Sequence, residues 1–101
     1  MFNPTISSDE TNRSYASTEN FENLQKVLLD LKGEIEAIAQ YDSHIRSTTS
    51  PIAKNTWRHI RDEELHHVGE LLELVNYLSP EFKRHIDMGR QEWLNENNIN
   101  M

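Results

Sequence analysis

Apolar residues in this chain return every three or four positions, the period of a helix that covers one face. From about Glu19 to Arg46 the stripe is Phe21, Leu24, Val27, Leu28, Leu31, Ile35, Ile38 and Ile45. From Pro51 to Leu78 it is Ile52, Ala53, Trp57, Ile60, Val68, Leu71, Leu74, Val75 and Leu78. A third, shorter run from about Pro80 to Leu94 carries Phe82, Ile86 and Trp93. The punctuation agrees with the period. Ser50 is placed to cap a helix that opens with Pro51, and Ser79-Pro80 repeats that signal, because proline is tolerated at the first helical position. Residues 1–18 are rich in Ser, Thr, Asn and acids and read as a disordered polar arm, with Phe2, Ile6 and Tyr15 as spaced apolar points. Residues 95–101 read as a flexible tail, leaving 19–94 as the helical domain.

The two long helices would each run roughly 40 Å at 1.5 Å per residue. Their four-residue connection, Ser47-Thr48-Thr49-Ser50, makes them an antiparallel hairpin. A two-helix hairpin cannot cover its own apolar stripe. The expected fold is therefore all-α, a hairpin plus a short C-terminal helix, pairing with a second chain into a four-helix bundle. Composition supports that reading. Only 36% of the 101 residues are hydrophobic, and small chains bury proportionately little surface.

Charge and cysteine content narrow the chemistry. The net charge of −7 argues against nucleic acid, whose phosphates call for a basic face, and favours cations as partners. The absence of cysteine removes disulfides, thiolate metal sites and thiol catalysis, and fits a reducing cytoplasm. No apolar run of 18 residues and no secretory h-region is visible, so no membrane partner is expected.

Polar residues on the apolar stripes then become informative, because ionisable groups there need a partner. Glu34 lies at the edge of the first stripe, beside Val27 and Ile38, and Tyr41 follows two turns later along nearly the same line. In Arg61-Asp62-Glu63-Glu64-Leu65-His66-His67 two Glu-x-x-His pairs overlap. Glu64 and His67 fall within the second stripe, while Glu63 and His66 fall toward its flank, near His59 and Glu70, so the periodicity selects the first pair. The ordinary reading of a bare Glu-x-x-His is a surface i,i+3 pair. A carboxylate on the facing stripe shifts the balance toward a shared metal ion. Di-iron carboxylate bundles use one Glu from each of two helices and a Glu-x-x-His from each of two others; this chain carries half of that set, which a second copy completes. His59, His66, His44 and His85 read as surface residues, and Trp57 and Trp93 as packing residues. Asp42 falls inside the first stripe and can pair with Arg46, Arg58 or Arg61, or support a site from outside.

The stretches Glu34-Ile35-Glu36-Ala37-Ile38-Ala39-Gln40-Tyr41-Asp42 and Arg61-Asp62-Glu63-Glu64-Leu65-His66-His67, with the spacing between them, resemble the encapsulated ferritins, short ferritin-like proteins housed in encapsulin shells. The likeness runs over roughly residues 22–94. It implies a helical hairpin with a short third helix, a di-iron ferroxidase centre at the interface of a homodimer, and dimers arranged in an open ring, typically a decamer. The iron ligands carry over to Glu34, Glu64 and His67, and the tyrosine near the centre to Tyr41. Of the family's secondary metal site on the outer face of the first helix, only Glu36 keeps its place; Gly33 and Gln40 stand where an acid and a tryptophan would be. The ending Asn98-Ile99-Asn100-Met101 does not resemble the family's shell-targeting peptide. The activity the resemblance implies is oxidation of Fe(II) by dioxygen, supplying iron for storage inside an encapsulin nanocompartment in the cytoplasm. The competing reading is a non-enzymatic helical oligomer in which Glu64 and His67 form a buried pair or hold a structural metal.

Overall fold

A computed structural model of the chain describes the backbone of residues 8–100 and the side chains of residues 18–100. Phe2 and Ile6, two of the arm's three apolar points, lie outside the described residues. Three helices follow one another: α1 (Ser8–Ser47), α2 (Pro51–Leu78) and α3 (Pro80–Glu96). There is no strand among the described residues. α1 starts earlier than its apolar stripe does. No Gly or Pro stands between Ser8 and Lys32, so nothing in the backbone interrupts the helix when the stripe runs out.

The α1–α2 turn follows from its residues. Ser50 is extended (φ −81°, ψ 116°), and its hydroxyl accepts the Ala53 N–H at 3.2 Å, with Pro51 in the first turn. Ser79 alone joins α2 to α3. Its N–H donates to the Val75 carbonyl at 2.9 Å, closing α2, while its hydroxyl accepts the Phe82 N–H at 3.2 Å, opening α3. α3 ends in a Schellman motif. Asn98 takes a left-handed φ of 55°, the Ile99 N–H reaches the Leu94 carbonyl at 2.9 Å, and the Asn98 N–H reaches that of Asn95 at 3.2 Å. Asparagine tolerates this conformation better than most side chains.

α1 and α2 pack antiparallel along their stripes. Leu24, Val27, Leu31 and Val75 form the buried core, with Leu28, Val68, Leu71 and Leu78 packed against it. Among the described residues α3 packs on α2. Its buried residue is Leu94, whereas Trp93, expected to pack, is 56% exposed. The molecule measures 67 × 34 × 16 Å. It is a single layer of helices, so much of the apolar stripe has no cover: Phe21, Ile35, Leu74, Phe82 and Ile86 are exposed, and Ile52 is 81% exposed.

Candidate metal centre

The antiparallel hairpin sets the register at which α1 meets α2, and Glu34 falls opposite Glu64 and His67. The His67 Nδ1 lies 3.7 Å from a Glu34 carboxylate oxygen and 3.8 Å from one of Glu64. One ligand atom from each residue can be chosen so that all three lie within 4.8 Å of one another, and no other group of three such residues does so among the described residues. Glu64 comes from the same helix as His67 at i,i+3, which stacks their side chains on one face; Glu34 comes from the facing helix. The Glu34 and Glu64 side chains are 24% and 20% exposed, and that of His67 is 49% exposed. The imidazole is thus more open than a place on the apolar stripe implies, because the hairpin has no second layer over it.

The trio lines an open groove of about 680 Å³, walled by Leu29, Ala37 and Leu71. Gly33 also lines it, and a Cβ there would meet nothing within 4 Å. Asp30 and Glu70 line the same groove. Sequence alone did not single out Asp30. The available signal was its position one turn before Glu34, opposite Glu70, which stands one turn after His67. No Lys or Arg lines the groove, so its field draws cations.

One atom tests whether the donors fit a metal. The inner carboxylate oxygen of Glu34 (Oε2) is buried and has no hydrogen-bond partner; at 3.7 Å, the His67 Nδ1 is too far to be one. A buried acceptor left without a partner is costly. Ligands held about 2.1 Å from a metal lie no more than about 4.2 Å from one another, so the observed spacing needs only a small inward movement to close on an ion. Two carboxylates and one imidazole form a donor set suited to divalent iron, manganese or zinc.

The remaining candidates separate clearly. Glu63 turns to His59, its Oε1 lying 3.2 Å from the Nε2 in a solvent-exposed pair, and His66 is exposed. Glu64 and His67, which the stripe favours over Glu63 and His66, are the pair that lines the groove with Glu34. Glu36 and Gln40 are exposed and do not line the groove. Tyr41 is half-buried, edge-on to the His44 ring at 6.3 Å, and lies outside the groove lining, so a single chain does not bring it to the trio. His44 is not the surface residue the sequence suggested. It packs against Trp57 with ring centroids 4.9 Å apart, and its Nδ1 is buried without a partner. His85 is exposed, beside Arg84. Asp42 chooses Arg61 among its three possible partners: Nη1 donates to the carboxylate at 2.8 Å.

Residues 10–91 match the EncFtn-like family. A stretch of 61 residues is 34% identical to the encapsulin nanocompartment cargo protein EncC of Myxococcus xanthus (strain DK1622), covering 60% of this chain and 47% of that protein. The chain thus spans about half the length of that curated relative. No solved structure matches it, and no helix among the described residues is long and apolar enough to cross a membrane. With the match running through all three helices and containing both halves of the Glu34, Glu64 and His67 cluster, the chain belongs to the EncFtn-like family of encapsulated ferritin-like proteins.

Proposed function

We propose that this protein is a ferroxidase, oxidising Fe(II) to Fe(III) with dioxygen at a centre completed by a second copy of the chain. The observation that carries the reading is the convergence of Glu34, Glu64 and His67 around an unsatisfied carboxylate oxygen. It is half of a di-iron carboxylate set, presented on an apolar face that lacks a second layer. Pairing two such faces supplies the other half and covers exposed residues such as Ile35 in one step.

Fe(II) is the substrate. Asp30 and Glu70 bring divalent cations to the groove, and the Glu34 carboxylate, Glu64 carboxylate and His67 imidazole hold them. Iron supplies the redox chemistry, each Fe(II) losing one electron to dioxygen. The chain's contribution is charge and position. Anionic carboxylates favour the product with the larger positive charge, and the apolar walls fix the ligands in place. Glu34 is suited to bridge two ions, with Glu64 and His67 capping each. Tyr41, two turns away within one chain, joins the centre only in the assembly, and Glu36 is at most a secondary cation site. The assembly is a homodimer, built further into a ring such as a decamer. An open ring cannot retain mineral, so the iron passes to an encapsulin shell, the setting named for the Myxococcus relative, inside a cytoplasmic nanocompartment.

The short separations of His67 from both carboxylates also favour a second reading, a Glu–His cluster or structural metal in a non-enzymatic oligomer. Oxidation of Fe(II) in air by wild type and Glu64→Ala separates the two. The ferroxidase reading expects Glu64→Ala to remain assembled while losing more than about a hundredfold in rate, since loss of even an outer-shell partner costs 10–100-fold at metal sites. An assembled wild type no faster than buffer leaves only the second reading.

A further inference from the structure

Arg61 stands one turn before Glu64 on α2, the i,i+3 spacing at which a guanidinium and a carboxylate pair. Glu64 is mostly covered, the His67 Nδ1 lies 3.8 Å from its carboxylate, and no Lys or Arg lines the groove. A free Arg61 would be its natural counter-ion. The structure instead turns the guanidinium away. Nη1 donates to the Asp42 carboxylate on α1 at 2.8 Å, and Nε and Nη2 donate to Asp62 at 3.3 and 3.2 Å. Charge-assisted bonds of this kind are the strong ones. The guanidinium holds its proton above its ordinary range, chiefly through the hydrogen bond to Asp42 and then that to Asp62. Asp62 follows Arg61 directly on its own helix and cannot draw it across the hairpin. Asp42 can, and Asp42 neither belongs to the ligand cluster nor lines the groove.

We propose that Asp42 is a positioning residue for the metal centre: by anchoring Arg61 across the hairpin it keeps the guanidinium out of the groove and leaves the Glu64 carboxylate free to take a divalent cation. This rests on the reading that Glu34, Glu64 and His67 bind such a cation. It also makes Arg61 a built-in competitor, so that the same clamp that joins α1 to α2 also governs metal affinity.

The test is calorimetric titration with Co(II) of the assembled wild type, Asp42→Asn, Arg61→Gln and the double variant, with oligomeric state followed by sedimentation. Asp42→Asn is expected to bind Co(II) about tenfold or more weakly. Arg61→Gln lacks the clamp but also lacks the competitor, so it is expected to bind within about threefold of wild type. The double variant is expected to recover the affinity lost in Asp42→Asn. A purely structural clamp gives the opposite pattern, with Arg61→Gln and the double variant as weak as Asp42→Asn, and that result would overturn the proposal. Equal binding by wild type and Asp42→Asn would overturn it too, and would leave the metal centre standing. No Co(II) uptake by the wild type would overturn both.

Discussion

At the scale of single residues, the sharpest contrast is between two adjacent glutamates. Glu64 faces the groove with His67, and Glu63 faces solvent with His59. Glu63→Ala is expected to leave Fe(II) oxidation unchanged and stability within about 0.5 kcal/mol, as urea unfolding would measure. Loss of oxidation in Glu63→Ala would mean the periodicity had chosen the wrong pair. The opposite facing of Glu63 and Glu64 was legible in the sequence because a 100° step per residue separates neighbours onto different faces. His44 was not legible. Its covering comes from Trp57 on the other helix, and only the hairpin register brings the two together. Its buried Nδ1 has no partner, so His44→Phe, which keeps a ring against Trp57 and removes the unpaired nitrogen, is expected to leave stability equal or raise it by up to about 1 kcal/mol. A clear loss of stability would show that the nitrogen has a partner in the assembly. Asp42 lies between these cases. Its place on the stripe announced a partner, but three arginines were in reach by spacing and only packing selects Arg61.

At the scale of elements, the starts of α2 and α3 were readable because Ser-Pro marks both. The start of α1 and the end of α3 were not. Helix between Ser8 and Glu19 has no apolar stripe to announce it, and the Schellman turn at Asn98 depends on a left-handed residue that is not glycine. Ser79 closes one helix and opens the next, so Ser79→Ala is expected to cost about 1 kcal/mol, a fall of roughly 4–8 °C in Tm for a domain of this size. Gly69 offers the reverse test. It sits inside α2, where an added methyl group would meet nothing within 4 Å, and Gly69→Ala is expected to stabilise the helix by up to about 1 kcal/mol. Destabilisation of the assembled protein by that methyl group would instead place a neighbouring helix against α2 at this point.

At the scale of the whole molecule, a layer 16 Å thick with exposed Phe21, Ile35 and Ile52 is an incomplete solution to burying apolar surface, since domains are built from at least two packed layers. On the proposed reading the incomplete core and the half set of ligands lie on the same hairpin, so pairing and metal binding would be linked. Removing metal with a chelator is therefore expected to shift the protein toward smaller species and to lower its Tm, since metal at a hundred times its Kd contributes about 2.7 kcal/mol of stability. The sequence carried the hairpin, its face and the residues that converge in the groove because each is a matter of local spacing. It could not carry how two copies would pair, because that depends on surfaces meeting between them. The decisive measurement is the initial rate of Fe(III) formation in air per chain, taken on the monomer and on the assembled species after separation by size. A centre shared between subunits requires rapid oxidation by the assembly and none above buffer by the monomer. Equal rates per chain in the two fractions would contradict it.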